Sequence, residues 1–305
     1  MKVAVTGGTG LVGKALCRYL SEQGHEAIVL SRKDPEQAEG AFGKDDHITF
    51  IRWLNESDKP EKELEGVDAI VNLAGASISK RWTEEYKKQI VESRLQSAAE
   101  IGRIISSMAV KPKVLINASA VGIYDTSHAK TFTEEDSDFG SDFLANTTKK
   151  WEAAALKAGS GIRTVLCRFG VILDKEEGAL PRMALPYRLF AGGTVGKGTQ
   201  WLSWIDIKDV VRGITFAIET GELSGPVNFT APQPVRIKEF GKVLADVLGR
   251  PHWLPAPSFA IKTVLGEMSI LVLEGQKALP EKLERNGFSF QYPELKKALS
   301  DIFYH

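Results

Sequence analysis

The chain is poor in the residues that staple or metallate a small fold. Two cysteines among 305 residues, Cys17 and Cys167, supply at most one bridge and lack metal-ligand spacing. Buried reduced thiols are the expectation. The five histidines are not paired at catalytic or metal spacing, and no metal site is expected. Neither sign of charge is in excess, 39 Lys and Arg against 39 Asp and Glu, so no overall field draws the protein to nucleic acid or an anionic membrane. No apolar run approaches the ~18 residues of a membrane span. The opening "MKVAVTGG" has neither the apolar length nor the cleavage pattern of a signal peptide. These absences lead to the expectation of a cytoplasmic protein with a small-molecule substrate, no nucleic-acid or membrane partner, and a monomeric or homodimeric state.

What is present is alternation. Lys2 to Thr6 is a short apolar run closed by glycines, Leu11 to Gln23 has helical spacing, and Glu26 to Ser31 is a second β-rich run. The rhythm continues through "HITFIRW", "VDAIVNLAG", a helix from about Thr83 to Met108, "KVLINASA", a helix over Phe143 to Ala158, and "IRTVLCRFG". Strands that read as continuous apolar runs are covered on both faces. The fold class is therefore α/β: a Rossmann-type, doubly wound parallel sheet with a smaller mixed α/β C-terminal lobe. Residues 1–170 are assigned to the dinucleotide-binding domain, with 204–230 returning to it. Residues 171–203 and 231–305, punctuated by Gly, Pro and aromatics, are assigned to the lobe.

The first turn carries the chemistry. Gly7, Gly10 and Gly13 space as G-x-x-G-x-x-G between a strand and a helix, with Thr9, Leu11 and Val12 completing the loop. The first glycine permits the tight turn, Gly10 lets backbone N–H groups approach a pyrophosphate, and Gly13 allows close helix packing. The helix N-terminus then favours the phosphate charge. At the end of the second strand, where an NAD site places an acid, this chain has Ser31-Arg32-Lys33. Ser31 can hydrogen-bond a 2′-phosphate and Arg32 can pair with it, which selects NADP(H). The alternative is that Arg32 and Lys33 are solvated loop charges and Asp34 sits near the ribose.

With "TGGTGLVG", "VNLAGASI", "NASAVGIYD" and "WLSWIDIKDVV" in order, the chain resembles the extended and atypical short-chain dehydrogenase/reductases. More narrowly, it is similar to an epimerase-family subgroup with its own C-terminal domain, over nearly its whole length. The resemblance implies that Leu73, Ala74 and Gly75 line the cofactor and that Arg94 contacts it, with Gln89 a weaker candidate. It also implies a Tyr-x-x-x-Lys pair, in which the phenol exchanges a proton with substrate while the lysine lowers its pKa. Anchoring that helix on Glu152 places Leu144 and Thr148 at those positions, and neither side chain can do the work. Ser119 takes the strand-end serine's place, although an alignment on Tyr124 puts Ala120 there. Tyr124 is the alternative phenol, or else packs against the small lobe.

In the family pattern Arg168, Trp201, Ser203 and Trp204 lie where substrate is met, as an aromatic wall with polar anchors. The bland alternative is that the tryptophans fasten lobe to domain. The acidic loop 132–142 is either solvated or a lid supplying Glu134 or Glu135. Asp206 and Asp209 are expected to cap or flank the following helix. The functional expectation is an NADP(H)-dependent oxidoreductase or nucleotide-sugar epimerase-like enzyme acting by hydride transfer. The alternative is a non-catalytic NADPH-binding redox sensor.

Overall fold

The structure, a computed structural model, describes residues 1–34, 40, 42–55 and 57–304. Seven strands form one sheet: β1 (Lys2–Thr6), β2 (Glu26–Ser31), β3 (Ile48–Arg52), β4 (Ala69–Asn72), β5 (Val114–Ala120), β6 (Arg163–Phe169) and β7 (Gly225–Phe229). Their order across the sheet is β3-β2-β1-β4-β5-β6-β7, and every pairing is parallel. Parallel neighbours require crossovers, and the crossovers put helices on both faces.

Alternation within the strands decides which residue meets which helix. Val3, Val5, Ala27, Val29 and Val71 pack against helix α1 (Leu11–Glu22) and the later helix Ile207–Glu219. Ala4, Ile28, Leu30 and Ile70 turn the other way, onto Ile101, Ile104 and Ile105 of α2 (Glu84–Ser107). Each fully buried aliphatic side chain contributes about 1.5–3 kcal/mol, and together they fix the register. Cys17 and Cys167 are free thiols inside the core, and burial pushes Cys17 up to about 12. Thr83 caps α2 by accepting from the Tyr86 amide. Asp142 caps α3 (Phe143–Ala158) by accepting from the Leu144 and Ala145 amides.

Beyond β6 a second core forms. Leu173, Leu180, Tyr187, Leu202, Trp204, Phe240, Leu244 and Leu299 gather between helices Leu180–Arg188, Ile237–Leu248 and Leu295–Tyr304. Among the described residues no helix is long and apolar enough to cross a membrane.

Asp206 caps the helix Ile207–Glu219, its Oδ1 accepting from the Lys208 amide at 2.8 Å. Its other oxygen is buried without a partner among the described residues, and burial, with help from Asp209 and Asp301, raises its pKa to about 7. The folded-state pKa lies above the unfolded one, so this group's stability contribution is present below about pH 4 and lost as pH rises through about 7. Asp206→Asn keeps a capping oxygen without the buried charge. The variant is expected to be more stable than wild type by about 1–2 kcal/mol at pH 8, the buried amide offsetting part of the gain, and to show no such gain at pH 4. Thermal melts across that range check it; an equal gain at both ends would show that ionisation is not the cause.

Candidate functional site at the sheet's switch point

Strand order reverses between β1 and β4, and the two loops that leave these strands open the crevice where such sheets bind ligands. Gly7 adopts φ +66°, and a Cβ there would lie 2.8 Å from the carbonyl of Leu73, so only glycine lets the two loops touch. A Cβ on Gly13 would fall 2.3 Å from the Gly7 oxygen, which explains how α1 sits directly on the turn. Gly10 differs: its Cβ would meet only the Gly7 oxygen, at 3.3 Å. The loop backbone is therefore open at Gly10, and among the described residues no side chain caps α1 there. Thr9, Leu11 and Val12 lie at this same turn, where uncapped N–H groups and the helix dipole suit a phosphate.

Three strand ends are tied by a polar ladder that the sequence reading did not single out. Asn72 Oδ1 accepts from Thr6 Oγ1 and Ser97 Oγ, both at 2.7 Å, and Asn72 Nδ2 donates to Asn117 Oδ1 at 2.6 Å. The signal was available: Thr6, Asn72 and Asn117 interrupt the apolar runs of β1, β4 and β5, and the three fall side by side. Thr6 Oγ1 also accepts from the Leu73 and Ala74 amides, which holds the loop Leu73–Gly75 against the crevice.

At the end of β2, Ser31 is buried and its Oγ accepts from the Lys33 amide, while Arg32 is exposed. Asp34 is engaged elsewhere, its Oδ1 accepting from Arg52 Nη1 at 3.0 Å. Arg32 thus stands exposed at the strand end, and the nearby acid is held by the neighbouring strand's cation.

Ser119, Tyr124 and Arg168 are brought together, but into the interior. Ser119 Oγ donates to Glu152 Oε1 at 2.6 Å. Arg168 grips the same carboxylate through Nε and Nη2, each at 2.9 Å, and is only 2% exposed. Its Nη1 donates to the Tyr124 hydroxyl, which lies 2.9 Å from both the Thr133 carbonyl and Asn228 Oδ1. Tyr124 is fully buried, and burial raises its phenol pKa. The phenol expected to face substrate faces the protein instead, because Arg168 and Asn228 project onto the same sheet face from adjacent strands. On α3, Thr148 is buried and donates back to the Leu144 carbonyl, while Leu144 is half-buried.

The substrate wall is not assembled as expected. Trp204 is fully buried in the lobe core and donates to the Gln233 carbonyl, whereas Trp201 lies under the Arg236 guanidinium, 3.6 Å from ring centre to Cζ. Three residues apart in strand-like chain, the two rings leave on opposite faces, and each finds its own surroundings. Ser203 clamps the C-terminal segment, donating to the Gln276 carbonyl and accepting from the Ala278 amide. Glu134 is buried and accepts from the amides of Asn228 and Lys282, so it serves the interior rather than a lid.

A parallel sheet with a glycine turn on one side of its switch point and small residues on the other defines a Rossmann-like α/β protein of the short-chain dehydrogenase/reductase type. Comparison with known proteins then narrows the class. The model of the NAD dependent epimerase/dehydratase family matches residues 3–229, and a domain of unknown function, DUF1731, matches 256–302. The chain belongs to the NAD dependent epimerase/dehydratase family. The epimerase family protein YfhF of Bacillus subtilis is 48% identical over 303 residues, covering 99% of this chain and 98% of that one. The human epimerase family protein SDR39U1 (isoform 2), whose crystal structure is with NADPH, superposes with a TM-score of 0.86 at 33% identity, covering 99% of both chains. A nucleoside-diphosphate sugar epimerase from Corynebacterium glutamicum superposes with a TM-score of 0.78 at 32% identity, covering all of this chain and 58% of that one.

Proposed function

We propose that the protein binds NADP(H) across the Gly7–Gly13 turn and the Leu73–Gly75 loop and uses it for hydride transfer on a small polar substrate of the nucleotide-sugar kind. The opening at Gly10, beside two glycines that cannot carry a Cβ, is the observation that carries the reading. The human relative's NADPH supports the cofactor, and the Corynebacterium relative's description supports the substrate class. Bound there, the cofactor would supply the hydride chemistry. Ser31 and Arg32 would hold the 2′-phosphate, while Ser119, its hydroxyl donated to Glu152, stays with the buried network at the end of β5. Arg168, Tyr124 and Ser203 keep a supporting role in this reading, holding the strand ends and the lobe above which substrate sits; Trp204 anchors the lobe and Trp201 its surface.

Arg32→Ala is expected to weaken NADPH binding about tenfold or more while leaving NADH binding within about twofold, the loss of a charge-assisted contact. Calorimetric titration with both nucleotides checks it; equal losses for both would remove Arg32 from phosphate recognition.

A second reading has its own observation. The hydroxyls of Tyr124 and Thr148 are buried and engaged, and Leu144 stands where a proton donor is needed. That arrangement suits a protein that senses NADPH by differential affinity for two states, without turnover. Incubation of the NADPH-loaded protein with a panel of carbonyl compounds separates the two: oxidation above background supports the enzyme, and a conformational response alone supports the sensor.

A further inference from the structure

Arg94 is a cation whose remaining donors are uncommitted. Its Nη1 donates to the carbonyls of Ala76 and Ile90, at 3.1 and 2.9 Å. Among the described residues no carboxylate pairs with it, and Nε and Nη2 have no acceptor. Burial lowers its pKa to about 10, so it stays charged at neutral pH. Arg94 is half-buried and has no acid partner among the described residues, so its open donors can take a ligand that brings oxygen acceptors.

The surroundings say where that ligand would lie. A Cβ on Gly75 would come within 3.0 Å of Arg94 Cζ, so glycine at the end of the cofactor-side loop is what lets the guanidinium reach the loop. The guanidinium also packs on the Trp151 ring, 4.8 Å from its centre. Trp151 belongs to α3 and follows Thr148 by three residues, about one helical turn. Trp151 itself is 7% exposed, and its indole N–H finds no acceptor among the described residues. An unpaired cation and an unpaired N–H thus meet between the loop at the switch point and the helix whose own cation is missing. Lys149 Nζ donates to the Gly140 carbonyl, Lys87 pairs with Glu84 and Glu267, and Lys14 pairs with Glu177, while Lys150 is exposed.

We propose that Arg94 supplies, from the neighbouring helix, the fixed positive charge that α3 lacks, and that its free N–H groups bind the hydroxyls of the cofactor's nicotinamide-side ribose. This rests on the NADP(H) reading above. A planar guanidinium with two free donors suits a vicinal diol, and its charge would also stabilise negative charge developing on a substrate oxygen beside that ribose. Arg94 is a cofactor-positioning residue in this scheme, and no proton passes through it.

The test uses three probes on the full chain: NADPH, reduced nicotinamide mononucleotide, and adenosine 2′,5′-bisphosphate, which has no nicotinamide half. In Arg94→Met the affinity for NADPH is expected to fall about tenfold or more, and that for reduced nicotinamide mononucleotide likewise, while the bisphosphate binds within about twofold of wild type. Arg94→Lys is expected to recover part of the loss. Equal losses for NADPH and the bisphosphate would overturn the proposal, because they would mean that Arg94 only braces the loop. Unchanged NADPH affinity would overturn it too. If wild type binds neither NADPH nor the bisphosphate, the NADP(H) reading itself fails and takes this inference with it. Arg94→Gln keeps an amide donor for the loop, and the same outcomes are read from it if Arg94→Met does not fold.

Discussion

Glu152→Ala is expected to destabilise the protein by about 3–5 kcal/mol, the largest single-site effect anticipated outside the glycine turn. The substitution leaves the Arg168 guanidinium charged, 2% exposed and without its counter-ion, and it strips Ser119 of the acceptor it now has at 2.6 Å. Removing one member of a buried pair costs far more than the pair contributes, because the desolvation of the survivor is no longer offset. The double variant Glu152→Leu with Arg168→Met, which removes both charges and keeps apolar volume, is therefore expected to lose less than Glu152→Ala alone. Urea denaturation of the three proteins gives the comparison. A Glu152→Ala midpoint close to wild type would mean that water or another acid reaches Arg168, and the buried network would have to be redrawn.

The second large effect comes from two glycines three residues apart that fail in different ways. Gly13→Ala drives a methyl to 2.3 Å from the Gly7 oxygen and 2.5 Å from the Gly8 Cα, both backbone, so α1 must lift off the turn. Overpacking against backbone costs at least about 1–3 kcal/mol, and the turn geometry is lost with it. Gly10→Ala meets one atom at 3.3 Å in a conformation open to any residue, φ −86°. Its fold is expected to survive, with a melting temperature within a few degrees of wild type. Its NADPH affinity is expected to drop by about ten- to a hundredfold, since the methyl stands where the backbone would approach the pyrophosphate. Calorimetry beside thermal melts reads both variants. A folded Gly10→Ala that binds NADPH as wild type does would separate the turn from the cofactor and sink the proposed function.

The alternation of strands and helices was legible because it is a local property. Apolar runs of four to seven residues, helical spacing and glycine punctuation act over distances of a few residues, and the observed β1, α1, β2 and α3 follow those signals closely. The helix Ile207–Glu219 was legible for the same reason: a polar cap at Asp206 precedes an amphipathic run, and the cap is made as expected. Glu134 shows the limit. Its loop "FTEEDSDFGSD" reads as acidic and solvated, yet the carboxylate is drawn inward by two backbone amides from residues 94 and 148 positions away. Nothing local to that loop announces those partners.

By itself, then, the sequence determined the layers, the parallel sheet and the place of the glycine turn, because backbone sterics and hydrophobic periodicity are written in neighbouring residues. Only the tertiary structure decided what the polar side chains do. Ser119, Tyr124 and Arg168 read as separate candidates along the chain, and the adjacency of parallel strands packed against α3 joins them through Glu152 into one buried network. Trp201 and Trp204 read as a pair, and two different packing environments part them. Arg94 read, through the family resemblance, as a cofactor contact or else an exposed helix residue, and the packing of α2 against α3 sets it on Trp151 beneath Gly75. The physical reason is common to all three cases: charge and hydrogen-bond partnership depend on distance in space, and the chain fixes that distance only after its apolar faces have been buried.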